Sequence, residues 1–136
     1  MSDGKIFEYP LMIRESHLDT FGHVNNATYL QLFEEARWEI ITQNGFGLDR
    51  VHETGQGPVI LEVHIRFMKE LKLRSHVTIK TQITEWEGKI NKLRQWIENE
   101  KGQNCCEAEF TFSLFDTKAR KIIAPTPEWL KALGIN

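Results

Sequence analysis

Asp19-Thr-Phe-Gly-His-Val-Asn-Asn-Ala-Thr-Tyr29 runs straight into the one long helical pattern of the chain, residues 30–42, and this join decides the fold. Tyr29, Phe33, Ala36 and Ile40 recur at helical spacing as a buried stripe, flanked by Leu30, Arg37 and Ile41. Asn25 or Asn26 supplies the N-cap, and Asn44-Gly45 the stop. Upstream, residues 5–14 read as a first strand, bent or placed at an edge by Pro10, followed by a loop over 15–25. Downstream, residues 46–57 read as a loop with three glycines. The period then changes to two. Val59, Leu61, Val63, Ile65 and Phe67 alternate with Ile60, Glu62, His64, Arg66 and Met68, which predicts a long half-buried strand.

Val77, Ile79, Thr81 and Ile83 mark the next strand, and Glu87-Gly88-Lys89 turns the chain into another over 90–98. Its alternation slips between Ile90 and Leu93, which predicts a bulge. Lys101-Gly102-Gln103-Asn104 is a second hairpin turn, after which Cys106, Ala108, Phe110, Phe112 and Leu114 line one face. A short strand near 119–124 and a short terminal helix or tail behind Pro125 and Pro127 complete the pattern. One helix with four or five long strands predicts an α+β chain whose antiparallel sheet curls around the helix. The open edges of such a sheet predict pairing with a second copy.

The bulk composition narrows the function. At 136 residues the chain is expected to form one domain over 1–136. A net charge of -2 with no basic block argues against nucleic acid as a partner. The start Met-Ser-Asp-Gly-Lys lacks the regions of a secretory signal, and no apolar run reaches membrane-spanning length. Cys105 and Cys106 are neighbours that a strand points to opposite faces, so no bridge between them is expected. The chain therefore reads as cytoplasmic, with reduced thiols and no membrane partner.

The residues ahead of the helix each carry two readings. Asp19 is a turn-former bonding nearby backbone N–H groups, or a carboxylate that attacks an acyl carbon or takes a proton from water. His23 holds the turn through its ring, or donates to substrate or to Asp19. Gly22 supplies a backbone conformation or a close approach that a Cβ would prevent. Asn25 and Asn26 cap the helix, and the N–H of Asn26 or its neighbour is the candidate oxyanion donor, since one side chain cannot satisfy every free N–H. Glu34 pairs with Arg37 or Trp38, or, if buried near Asp19, orients the site or acts as a second acid. The sequence has no hydrolase elbow, no phosphate loop, no dinucleotide fingerprint and no metal-binding pair among its five histidines, so neither cofactor nor metal is expected.

A carboxylate without a triad suits a thioester. The leaving thiolate has a pKa of about 8.5, so it departs without a strong general acid. The motif Asp19-Thr-Phe-Gly-His-Val-Asn-Asn-x-x-Tyr29, the helix segment Phe33-Glu34-Glu35-Ala36-Arg37 and the strand end Arg66-Phe67-Met68-Lys69-Glu70-Leu71 resemble the hot-dog-fold acyl-CoA thioesterases of the 4-hydroxybenzoyl-CoA thioesterase-like group. The resemblance covers about residues 8 to 125.

It implies a curled sheet of five or six strands around one central helix. It also implies a homodimer or homotetramer with active sites between chains, Asp19 as nucleophile or general base, and Asn26 N–H on the thioester oxygen. Phe21 stands where many relatives have a small residue, and Glu70 where many have proline. Substrate contacts are expected from Gly22, Asn25, Phe21, Glu34 and Tyr29. The phosphates of an acyl-CoA substrate would seek Lys69, Lys72, Arg74, Lys118, Arg120 or Lys121. An acyl-carrier-protein thioesterase and a non-catalytic acyl-CoA-binding module are the alternatives.

Overall fold

The computed structural model describes residues 3–135; Met1, Ser2 and Asn136, the ends of the expected domain and signal readings, lie outside the described residues. Six strands form one antiparallel sheet in the order β1-β3-β4-β5-β2, with β6 also paired to β5. β1 is Ile6–Met12, β2 Gln56–Phe67, β3 His76–Glu85, β4 Asn91–Glu98, β5 Asn104–Asp116 and β6 Lys121–Ile123. Phe115 pairs with Gly57 of β2 on one side and Ile122 of β6 on the other, so β6 continues the line of β4. The turns at Gly88 and Gly102 adopt positive φ, 78° and 75°, where a Cβ would be strained.

The helix α1, Asn26–Gln43, lies against the sheet and fills its core. Phe33 and Ala36 are fully buried, and Phe33 meets Phe110 of β5 edge-on at 6.0 Å. All four stripe residues expected from the sequence are buried, joined by Leu32 and Ile41. The expected wrap of a curled sheet around one long helix is therefore present, with six strands. The helix begins at Asn26, three residues before the first stripe residue Tyr29, because Asn25 caps it there.

Four expectations needed correction. The loop over 46–57 contains a helix, α2, Leu48–Thr54. It buries no residue and so carries no apolar stripe. Gly47 precedes it, Gly55 ends it at φ 70°, and Arg50 ties it to Glu128 at 2.6 Å. Second, the slip between Ile90 and Leu93 is not a bulge. β4 keeps its alternation with buried amides, Asn91 and Gln95, in place of apolar residues. The adjacent register shift lies in β3, between Ile83 and Glu85.

Third, β2 has its own shift between Ile60 and Glu62, with Leu61 the extra residue. Val59 therefore pairs with Ser113, whereas Ile60 and Val63 pair with the buried Phe112 and Phe110. Val59 and Ile60 exchange the faces that unbroken alternation assigned them. Fourth, β2 is mostly exposed rather than half-buried, because it is an edge strand with one neighbour. The terminal segment α3, Pro127–Ala132, starts at Thr126, whose hydroxyl accepts from Trp129 N–H at 3.1 Å, and buries Trp129 against Phe46.

Candidate active site

Residues 18–24 form a small closed loop. Leu18 and Val24 make an isolated antiparallel bridge, and Asp19 N–H donates to His23 O at 2.8 Å. Gly22 N–H donates to Asp19 O at 3.0 Å, and Gly22 itself turns the chain with a φ of 81°. A Cβ on Gly22 would meet nothing within 4 Å, so the glycine serves the turn conformation and not a close approach. Asp19 Oδ1 accepts from Phe21 N–H at 2.9 Å and His23 N–H at 3.1 Å. Its Oδ2 has no protein partner among the described residues. The turn-former reading is thus realised by one oxygen, and the other stays available.

The helix start continues the same logic. Asn25 is the N-cap in extended conformation, φ -68° and ψ 146°, and its Oδ1 accepts from Ala27 N–H at 2.8 Å. Asn25 O takes Thr28 N–H at 2.9 Å and Tyr29 N–H at 3.3 Å. Among the described residues nothing accepts from Asn26 N–H. No acidic side chain sits in the first turn, so no residue of that turn offsets the partial positive charge of the helix start.

The remaining expected site residues divide. The His23 ring lies 3.8 Å from Glu70 Oε1, and what reaches Asp19 is the His23 backbone N–H. Tyr29 is buried at the helix start and meets Phe67 edge-on at 5.0 Å, which joins α1 to the end of β2. Burial, then the nearby thiols and Glu70, push the Tyr29 hydroxyl up to about 12. Phe21 projects from the loop at 86% exposure. Glu34 is exposed and sits about 12 Å up the helix axis from Asn26, so it is not buried beside that start. It lines instead the rim of a cavity of about 100 Å³ between α1 and the sheet.

Two contacts escaped the sequence reading. Glu70 reaches His23 across 47 positions of chain, a contact no local spacing signals. Arg37, read as a flank residue, turns into that cavity wall and donates from Nη1 to Gln95 Oε1 at 2.9 Å. Of the cations considered for phosphate, Arg74 already pairs with Glu15 at 2.7 Å, and Lys69, Lys72, Lys118 and Lys121 are exposed. Arg120 lies over the Phe115 ring at 5.7 Å. Cys105 and Cys106 are both buried free thiols, Cys106 raised to about 12 by burial, which keeps it protonated and unreactive. Among the described residues no His, Cys, Asp or Glu side chains cluster as metal ligands would.

Comparison with known proteins bears on this arrangement. A family model described as the thioesterase-like superfamily matches residues 13–133. The long-chain acyl-CoA thioesterase FadM of Escherichia coli is 34% identical over 116 residues, which cover 84% of this chain and 86% of that protein. The L-carnitine dehydrogenase/betainyl-CoA thioesterase of Agrobacterium fabrum is 29% identical over 96% of this chain, which spans only 28% of that longer protein. The crystal structure of YbaW, a probable thioesterase from Escherichia coli, superimposes with a TM-score of 0.80 at 30% identity, covering 93% of this chain and 96% of that one. No helix among the described residues is long and apolar enough to cross a membrane.

Proposed function

The chain belongs to the thioesterase-like superfamily and is a thioester hydrolase, and we propose that it cleaves acyl-CoA thioesters to the free acid and coenzyme A at the start of α1. One observation carries the reading. The first turn of the helix leaves the Asn26 N–H without an acceptor, while the preceding loop holds a carboxylate with one unengaged oxygen.

The chemistry follows from those two groups. The thioester carbonyl oxygen binds the Asn26 N–H, whose hydrogen bond strengthens as the oxygen gains charge in the transition state. Phe21 and His23 N–H groups fix the orientation of the Asp19 carboxylate through Oδ1, and Oδ2 acts. In one route Oδ2 attacks the acyl carbon, the C–S bond breaks, and the coenzyme A thiolate leaves and takes a proton from water. Water then opens the resulting anhydride. In the other, Oδ2 removes a proton from the water that attacks the same carbon; the C–S bond then breaks, and the departing thiolate takes that proton from Asp19. One turnover in heavy-oxygen water separates the routes, because only the anhydride route can leave label in Asp19.

The site is proposed to be completed by a second copy. Val63, Phe67 and Met68 are exposed apolar residues at the end of β2, and Leu30 is exposed on the first helical turns beside them. Pairing of two β2 edges would cover them, exclude water from the helix start, and join the two sheets into one. A homodimer, alone or doubled into a tetramer, is the assembly this predicts. Replacing Asp19 with Asn tests the function: turnover of acyl-CoA esters, followed with a thiol reagent, should fall by about 10²- to 10⁴-fold. A folded Asp19→Asn protein with near wild-type turnover removes the carboxylate from the reaction. Direct competition between an acyl-CoA and an acyl-carrier protein tells which thiol carrier the enzyme prefers.

A further inference from the structure

The cavity beneath the middle of α1 has a mostly apolar wall, including Ile40, Ile83, Leu93 and Phe112. Among the described residues Arg37 is the only cation in that wall, and Glu34 at the rim the only anion. Placing a guanidinium against hydrocarbon is unfavourable unless something compensates it. Burial pulls Arg37 down to about 10, opposed by Glu34 alone. Among the ion pairs of the described residues, none includes Arg37.

The side chain is nevertheless held rigidly. Gln95 is fully buried, and its Nε2 donates to Phe33 O at 3.0 Å and Thr81 Oγ1 at 2.9 Å. Those two bonds fix the amide so that Oε1 faces Nη1 of Arg37. The Phe110 ring lies 4.5 Å from the guanidinium carbon and supports one face of it. The other N–H groups of Arg37 meet no acceptor among the described residues. Nor are they sealed in protein, since the fully buried orphan atoms there are Asn91 Oδ1, Asn104 Oδ1 and Trp129 Nε1. A positioned fork with unused donors, at the edge of an apolar space, is the arrangement that reads an oxygen on an otherwise apolar ligand.

We propose that this cavity receives the far end of the acyl group and that Arg37 hydrogen-bonds an oxygen acceptor carried there. The preferred substrates are then acyl groups with a hydroxyl, oxo or carboxylate oxygen remote from the thioester, rather than plain hydrocarbon chains. The inference rests on the thioesterase reading above. Arg37 lies about 16 Å along the helix axis from Asn26, so an oxygen next to the thioester would not reach it.

The test compares kcat/KM for matched six-, eight- and ten-carbon acyl-CoA esters: plain, ω-hydroxy and ω-carboxy. Wild type should favour an oxygenated ester at one of these lengths by about 10- to 100-fold. Arg37→Met should erase that preference while leaving the plain ester within about twofold of wild type, and Arg37→Lys should restore part of it. The larger of the hydroxy and carboxy preferences identifies the charge of the oxygen. An unchanged ratio in Arg37→Met, or a wild-type preference for plain chains at all three lengths, overturns the proposal.

Calorimetric binding of the corresponding free ω-hydroxy and dicarboxylic acids gives a readout that needs no turnover. Arg37-dependent binding without hydrolysis of any ester leaves this inference standing and the thioesterase reading refuted. Hydrolysis with a ratio unmoved by Arg37→Met does the reverse.

Discussion

The two edges of the sheet are built oppositely. β1 is a finished edge: Pro10 removes a donor from its middle, and Tyr9 ties the strand to α1 through Glu35. The terminal segment packs on it, with Phe7 so near Gly134 that a Cβ there would fall 2.5 Å from the ring. β2 has such protection only at its start, where it carries Pro58 and Gly57 meets Val51 of α2; the rest of the strand is open. It is the longer of the two, presents Ile60, Val63 and Phe67 to solvent, and ends against Tyr29 at the start of α1. The contrast teaches which edge is open to the pairing proposed above. The unprotected edge runs to the same end of the helix as Asp19 and the unused Asn26 N–H.

The sharpest way to break this comparison is to charge each edge in turn. Val63→Lys on β2 should give monomers by sedimentation and lower turnover at least tenfold, because the charge would be buried on pairing. Ile6→Lys, at an equally exposed position on β1, should change neither. Equal effects at both edges, or none at either, would remove the asymmetry.

A smaller effect separates the cap from the chemistry. Asn25→Ala removes the acceptor of Ala27 N–H and should lower unfolding stability by about 1 kcal/mol in a urea titration. Turnover per folded molecule should fall far less than in Asp19→Asn.

An effect confined to alkaline pH probes the thiol beneath the join of α1 and β2. Cys106 is raised from 9.0 to about 12, first by burial and then by Cys105 and Glu107. The folded protein thus keeps a proton that the unfolded chain releases above pH 9. This contribution is complete below pH 9 and is lost as pH rises from about 9 to about 12. Tyr29 adds the same sign from 10.0 to about 12. Urea midpoints should fall across that window, and Cys106→Ala should shallow the slope without abolishing it.

Much of this was legible in the chain. The stripe Tyr29, Phe33, Ala36 and Ile40 announced α1 because it packs one face on a core. The strands β3 and β5 announced themselves by alternation, being central and covered. The cap Asn25 and the loop residue Asp19 were readable because capping and turn chemistry are local. What escaped was non-local or unpatterned. α2 has only Leu48 and Val51 as apolar residues, buries neither fully, and is tied down by the tertiary ion pair of Arg50 with Glu128. The β2 bulge hides in a perfect alternation, since Leu61 is as apolar as its neighbours. In β4, amides occupied core positions because Gly88 O and the network of Arg37 supply their partners. Arg37 looked like a solvated flank, as any helical arginine does until its neighbours are known.

The central claim is that the backbone donor at Asn26 works with Asp19. Asn26→Pro tests it most directly. Asn26 is the first helical residue, where proline is favoured, and Asn25 before it is already extended, as a residue preceding proline must be. The substitution therefore deletes one N–H while preserving the helix. With thermal unfolding and helical content near wild type, kcat for an acyl-CoA ester should drop by about 10²- to 10³-fold. A folded Asn26→Pro protein that turns over at the wild-type rate would contradict the account.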